Sequence, residues 1–279
     1  MKTKTKLALK RRFPRRLWRV SVNCYRKLVR VKYKTLTVLA PENKKYYCPC
    51  CDLRLKNFVT GDYLAEDEFY DRKLYENARQ DVLCPSCTSL PRHRILASWC
   101  LSHRDALAGK DILYFAPEPG MVRWLNAQKI NYTTADLFDE FTDLRLDIQA
   151  TGLPDDSYDV VICNHVLEHV DNYMTALKEV RRILRPGGIL ICSVPISPDV
   201  ELVDEDPSVV TAEERLVRYG QSDHVRLFGI GAGRFMSDAG FEVSTIEGSD
   251  YPDEIVPITA PGAYDINRLF VCKKGNGKD

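Results

Sequence analysis

From Asp111 onward the chain alternates short β-rich runs with helix-patterned stretches, which admits few folds besides a parallel sheet covered by helices on both faces. DILYFA reads as the first strand and MVRWLNAQ as the helix after it. INYTTA is a second strand ending at Asp136, and YDVVIC is apolar throughout, as a strand buried on both faces must be. NYMTALKEVRRILRPGG is expected as a helix stopped by its Pro-Gly-Gly, followed by the strand ILICSVP. After an irregular stretch come a short helix around Arg234 to Ala239 and the runs FEVSTIE and RLFVCKK, which are expected to pair antiparallel at one edge.

In such a sheet, ligands bind at the carboxyl ends of the strands, where the strand order reverses. The residues there are Ala116 to Gly120, Asp136, Asp147 and Asn164 to His169. Asp136 lies 18 positions after Glu118, near the distance at which an acidic residue grips ribose hydroxyls in nucleotide-binding folds. No G-x-G-x-x-G follows the first strand, which sets a nicotinamide dehydrogenase aside.

The cysteines carry a second signal. Cys48-Pro-Cys50-Cys51 and Cys84-Pro-Ser-Cys87 are two C-x2-C turns 32 residues apart, and each turn aims two thiolates at one point. Brought together they form the tetrahedral sulfur cage that Zn²⁺ prefers, with Cys48, Cys51, Cys84 and Cys87 as ligands; four reduced, unliganded thiols are the alternative. Cys50 could replace Cys48 or Cys51, though only the 48/51 pair leaves two residues between ligands. Four thiolates leave no position for water, so the metal is expected to be structural. The intervening GDYLAEDEFYDRKLYENARQ is expected to supply a helix, and Cys24, Cys100, Cys163, Cys192 and Cys272 read as small buried hydrophobes.

Charge is unevenly divided. Residues 1–34 hold 14 Lys or Arg and no Asp or Glu, leaving 26 basic against all 39 acidic residues beyond them. On a helical wheel Arg15, Arg16, Arg19, Arg26, Lys27 and Arg30 share one third of the circumference, while Leu17, Trp18, Val20, Val22, Cys24, Tyr25, Leu28, Val29 and Val31 fill most of the rest. Residues 15–31 therefore suit an anionic membrane surface, although Lys32 breaks the pattern. Packing on the protein's own acidic body is an equal reading; nucleic-acid phosphates are a third, without support from an RNA-binding motif. No run approaches the eighteen or so apolar residues of a membrane span, and the basic N-terminus lacks a signal peptide's apolar stretch. The expected location is the cytoplasm, with peripheral attachment to the inner membrane face as the option the arm allows.

The run DIQATGLPDDSYDVVICNHVLEHVDNYMTALKEVRRILRPGGILICSVP, continued by YGQSDHVRLFG and AGFEV, resembles the core of class I S-adenosylmethionine-dependent methyltransferases. Within them it is similar to a bacterial subgroup with HVLEH after the fourth strand, and CPSCTSLPRHR resembles the end of the zinc-ribbon extension some members carry. The resemblance covers roughly residues 45 to 275. It implies an α/β fold with a Rossmann-like, seven-stranded, mostly parallel sheet and helices on both faces. That domain, at 101–279, would follow a basic amphipathic helical arm at 1–40 and a four-cysteine zinc-ribbon module at 41–100.

The resemblance also implies roles. Ala116, Pro117 and Glu118 would lie under the methionine part of S-adenosylmethionine, Asp136 beside Leu137 would hold the ribose, and Asp147 with the Ile148 backbone would meet adenine. Asn164, His165 and Val166 would line the pocket near the sulfonium. FAPEPGM replaces the usual acidic-x-Gly-x-Gly loop, and its two prolines remove backbone donors and fix φ.

Methyl transfer from a sulfonium needs a positioned acceptor and one base. His224 in SDHVR is the first candidate, then His165 and Asp223; His169 would share a face with His165 if a helix began there, and reads as a supporting residue. Acceptor recognition is expected in the insert from Ser197 to Arg226. The expected acceptor is a sugar hydroxyl on a surface glycan or lipid-linked sugar. The alternatives are RNA methylation, with binding that falls steeply with salt, and a catalytically inactive scaffold at the membrane. No feature predicts a dimer.

Overall fold

The computed structural model describes residues 45–59, 81–257 and 266–277. The basic arm with Cys24, and the expected helix of the 61–80 insert, lie outside the described residues.

The described chain opens with a hairpin, β1 (Tyr46–Cys48) and β2 (Leu53–Leu55), paired antiparallel. Helix α1 (Pro91–Ser102) follows, then the alternation β3 (Ile112–Phe115), α2 (Pro119–Ala127), β4 (Thr133–Asp136), β5 (Leu144–Arg145), β6 (Tyr158–Asn164), α3 (Tyr173–Ile183) and β7 (Leu184–Ser193). An insert carries β8 (Ile196–Ser197), β9 (Val203–Glu205), α4 (Ala212–Tyr219) and β10 (Arg226–Gly229). Last come α5 (Gly233–Asp238), β11 (Phe241–Glu247) and β12 (Arg268–Lys274).

The main sheet runs β11-β12-β7-β6-β3-β4-β5. β3 to β7 are parallel; β12 pairs antiparallel with β11, as the sequence pattern predicts, and is antiparallel to β7 as well. Side chains alternate across a strand, so each strand feeds two cores. Leu113, Phe115, Val161, Cys163, Leu190 and Cys192 pack against Ala176, Leu177, Val180 and Ile183 of α3 and Met236 of α5. Ile112, Tyr114, Val160, Ile162 and Ile191 pack on the other face against Ile95, Leu96 and Trp99 of α1 and Trp124 and Leu125 of α2. Helix α1 crosses the expected boundary at residue 100 and is part of the sheet's own core. Cys100, Cys163, Cys192 and Cys272 are buried among these apolar side chains, as expected.

One expected boundary moves. The helix read as continuing to Pro-Gly-Gly stops at Ile183, and Leu184 is already extended at φ −73°, ψ 137°. Pro186 has no N–H to give and forces the residue before it out of helical geometry. Arg185 is fixed there by Asp111 and Asp159, each 2.8 Å from its guanidinium. Glycine is required next, because a Cβ on Gly188 would sit 2.8 Å from the Arg185 carbonyl oxygen and 2.9 Å from that of Asp159. The segment is therefore the bulged start of β7, where the pairing with β6 shifts register.

Candidate functional site

The two cysteine turns fold onto each other. The Cys51 N–H donates to the Cys48 carbonyl and the Thr88 N–H to the Cys84 carbonyl, which closes each turn and aims its sulfurs inward. Cys48 and Cys87 Sγ are 3.6 Å apart, Cys51 and Cys84 Sγ 3.8 Å, and all four lie within 4.8 Å of one another. A tetrahedral Zn²⁺ with bonds of about 2.3 Å spaces its sulfurs about 3.8 Å apart, so donor set and spacing fit the ion. Cys50 packs beside the group without joining it, its Sγ donating to the His93 carbonyl at 3.4 Å, so the four clustered sulfurs are those of the 48/51 pairing.

Arg94 of α1 anchors this cluster to the larger domain. Fully buried, it donates to the carbonyls of Ile255 (2.6 Å), Val82 (2.8 Å) and Ser89 (2.9 Å) and lies 3.9 Å from the centre of the Phe58 ring. Its positive charge beside four sulfurs offsets their charge when ionised.

The expected cofactor residues gather at the carboxyl edge of the main sheet. The chain leaves β3 toward β4 and β5 in one direction and returns at β6 to run toward β7 in the other, so a crevice opens between β3 and β6. Ala116 follows β3 at φ +46°, Asp136 ends β4, Asp147 and Ile148 follow β5, and Asn164 ends β6 with His165 next at φ +53°. A cleft of about 410 Å³ bounded by Lys110, Asp111, Tyr132 and Tyr158 opens at the opposite, amino-terminal ends of the strands, away from all of these residues.

Asp136 Oδ1 accepts from the N–H groups of Phe138 (2.7 Å) and Asp139 (2.8 Å), which fixes the carboxylate and leaves Oδ2 without a hydrogen bond among the described residues. Asp147 Oδ1 is fixed similarly by the Gln149 N–H at 2.8 Å. Asn164 is buried, its Oδ1 accepting from Ser193 Oγ at 3.0 Å, and the His165 N–H donates to the Ser193 carbonyl at 2.8 Å. Leu137 is exposed, and Val166 packs against the sheet's core.

Glu118 caps α2, with Pro119 at the first helical position, and its N–H donates to Tyr114 Oη at 3.1 Å. Its carboxylate is 2.6 Å from Arg92 and 2.7 Å from His93 Nε2. His93 Nδ1 accepts from the Leu90 N–H at 2.9 Å, so the proton of a neutral ring sits on Nε2, facing Glu118. Burial pushes the Glu118 carboxyl up, but Arg92 and His93 outweigh it and hold the group below the usual carboxylate range. Burial likewise lowers His93.

The third group surrounds Glu168. Residues 165–171 form turns before α3, not the helix that would have put His165 and His169 on one face, yet both rings approach Glu168. His165 Nδ1 is 3.2 Å and His169 Nε2 3.9 Å from Glu168 Oε1. Asp223 and His224 arrive from the insert: Asp223 Oδ2 is 3.5 Å from His169 Nδ1, and the His224 ring meets that of His169 edge-on at 4.8 Å. The three expected bases thus lie together around Glu168. Burial pushes His224 down to about 4, so its ring is neutral at neutral pH.

Arg226 holds the insert against this turn. All five of its N–H donors are used, on the carbonyls of Leu167 (2.8 Å), Val170 (2.5 Å) and Asp171 (2.9 Å) and on Glu205 Oε1 (3.0 Å) and Oε2 (3.1 Å). The insert itself is a three-stranded sheet, β8-β10-β9.

Arg92, His93, Glu168 and Arg226 were not singled out from sequence. Glu168 had a signal, a carboxylate between the apolar Val166-Leu167 pair and His169 within HVLEH, and Arg226 is the cation opening the apolar strand RLFG. Arg92 and His93 had none, since their partner is 25 or more positions away.

The strand order defines a doubly wound α/β domain with a crevice lined by polar residues where the order reverses. Residues 101–192, the parallel core from the end of α1 through β7, match the family model described as Methyltransferase domain. Over 121 residues the chain is 35% identical to an uncharacterized 37.1 kDa protein in transposon TN4556 of Streptomyces fradiae, covering 41% of this chain and 30% of that one. Over 39 residues it is 49% identical to demethylmenaquinone methyltransferase of Geobacillus stearothermophilus, covering 14% and 17%. The chain thus spans less than a third of either relative. Among solved structures it is similar to an S-adenosylmethionine dependent methyltransferase from Mesorhizobium loti (17% identity, 64% of this chain and 98% of that one, TM-score 0.45). It is also similar to the Burkholderia thailandensis 1,6-didemethyltoxoflavin-N1-methyltransferase bound to S-adenosylhomocysteine (14%, 66% and 78%, TM-score 0.45). No helix among the described residues is long and apolar enough to cross a membrane.

Proposed function

We propose that this protein is an S-adenosylmethionine-dependent methyltransferase that methylates a sugar hydroxyl during surface glycan or polysaccharide assembly, with a structural Zn²⁺ on Cys48, Cys51, Cys84 and Cys87. The observation that carries the cofactor assignment is the row Glu118, Asp136, Asp147 and Asn164 at the point of strand reversal, inside the segment matching the methyltransferase model. Bound there, the cofactor supplies an activated methyl group. Asp136, held by two backbone N–H groups with Oδ2 to spare, receives ribose hydroxyls; the Asp147 and Ile148 segment receives adenine; Ala116, Pro117 and Glu118 receive the methionine end.

His165 is the best placed proton acceptor of the three considered. It is partly exposed, and its Nδ1 on Glu168 leaves Nε2 available to an acceptor hydroxyl, whereas His224 is buried behind His169. The insert pinned by Arg226 borders the acceptor side of the crevice, and the amphipathic arm at 15–31 suits a lipid-linked sugar at the inner membrane face.

Glu118 and its two basic partners favour a second reading, a scaffold whose loop holds its own ion pair in place of a ligand. Calorimetric titration of zinc-replete protein with S-adenosylmethionine and S-adenosylhomocysteine separates the two. The enzyme reading expects micromolar binding of both, weakened roughly 10- to 100-fold in Asp136→Ala, as loss of charge-assisted hydrogen bonds predicts. No binding by folded wild-type protein overturns it in favour of the scaffold.

A further inference from the structure

We propose that Glu168, His169 and His224 form a second metal site, separate from the four-cysteine cluster, for a divalent ion that accepts nitrogen and oxygen ligands, such as Zn²⁺. One ligand atom from each lies within 4.8 Å of the other two. An ion bound at about 2.1 Å holds its donors about 3 to 4 Å apart, so modest side-chain rotation closes the site.

Proton placement points the same way. His169 Nδ1 is 3.2 Å from the Asp223 carbonyl oxygen, which only accepts, so Nδ1 carries the proton. In the neutral ring Nε2 is then a lone pair, and it faces the Glu168 carboxylate at 3.9 Å. Glu168 is 0% exposed and His224 1%; His165 Nδ1 approaches Glu168 Oε1 at 3.2 Å, while Glu168 Oε2 and His224 Nδ1 have no partner in hydrogen-bond geometry among the described residues. A buried carboxylate that a single histidine approaches on one oxygen is costly unless a cation lies beside it.

The surroundings are those of a metal site. Asp223 orients His169 through its second nitrogen, as partners behind metal-bound histidines do. The Val225 N–H donates to the Glu168 carbonyl at 3.0 Å, tying the strand that follows His224 to the turn that carries the other two ligands. Two histidines and a carboxylate suit a first-row divalent ion and leave at least one position open, in contrast to the closed cysteine cage. The ligands join the end of β6 to the insert, so an acceptor hydroxyl is the natural occupant of the open position; this role, unlike the site, rests on the methyl-transfer reading.

The test is metal stoichiometry on the full chain. Metal-free protein titrated with Co²⁺ should first develop the intense near-ultraviolet charge-transfer band of cobalt thiolate, saturating at one equivalent. A second equivalent should then add visible absorption with no further charge transfer. Elemental analysis of zinc-loaded protein should give two Zn²⁺ per chain in wild type and one in Glu168→Gln and in His169→Ala, with the cobalt-thiolate band unchanged. The partly exposed His169 makes the second variant the safer of the two for folding. A wild-type protein that takes up one equivalent only, or a His169→Ala protein that keeps two, overturns the site. Neither outcome depends on cofactor binding, which the calorimetric titration measures separately.

Discussion

Replacing Arg226 with Met should be among the most destabilising substitutions in the domain. The side chain is 1% exposed and spends five donors on three carbonyls of the 167–171 turn and on both oxygens of Glu205. Met fills similar volume but donates nothing, leaving those carbonyls short of a donor and Glu205 without its counter-ion. Removing one partner of a buried pair costs about 3–5 kcal/mol, and because Glu205 is 37% exposed water relieves part of the loss, which places the value near about 3 kcal/mol. At about 2–4 °C per kcal/mol for a domain of this size, the melting temperature should fall by roughly 6–12 °C. Arg226→Lys keeps the charge but not the planar fork, and should lose about half as much. Thermal unfolding followed by fluorescence of the buried Trp99 and Trp124 reads the difference directly. A Met variant melting within about 2 °C of wild type would refute the assignment of Arg226 as the clasp between insert and turn.

Two further outcomes follow from the same structure. A mercurial reagent should release the thiolate-bound zinc from wild type and from Cys50→Ser, while Cys84→Ser should be purified without that ion; equal zinc release from Cys84→Ser would refute the ligand set. The Arg182 guanidinium, 2.8 Å from Glu179, holds that carboxyl down at about 2, so its contribution to stability is complete above about pH 4.5 and is lost as pH falls toward 2. Glu179→Gln should therefore lower the melting temperature at about pH 6 and flatten its fall between about pH 5 and 2.5, and parallel wild-type and variant curves would count against it.

The elements that sequence reading placed well are those whose signal is local. Alternation of apolar runs with helical periodicity gave β3, α2, β4, β6 and the antiparallel β11 and β12 pair nearly in place. Both C-x2-C turns carried their chemistry within four residues. The α3 end was misplaced because Leu184-Arg185-Pro186 reads as a continued helix until the anchors of Arg185, Asp111 just before β3 and Asp159 in β6, are brought alongside. The role of Glu118 was likewise invisible as an ion pair, since Arg92 and His93 reach it from a helix that sequence reading assigned to the cysteine module.

The sequence by itself determined the sheet class, the four cysteines that cluster and the row of polar residues that strand order brings to one edge, because hydrophobic period and cysteine spacing are properties of neighbours along the chain. Only the tertiary structure decided that Cys50 gives its thiol to the His93 carbonyl, that Arg226 spends every donor on a turn 55 to 59 residues earlier and on Glu205, and that His224 comes to rest against His169 beside Glu168. These are encounters between residues far apart in sequence, fixed by packing the insert onto the strand ends, and no local pattern encodes which charged groups will be buried together there.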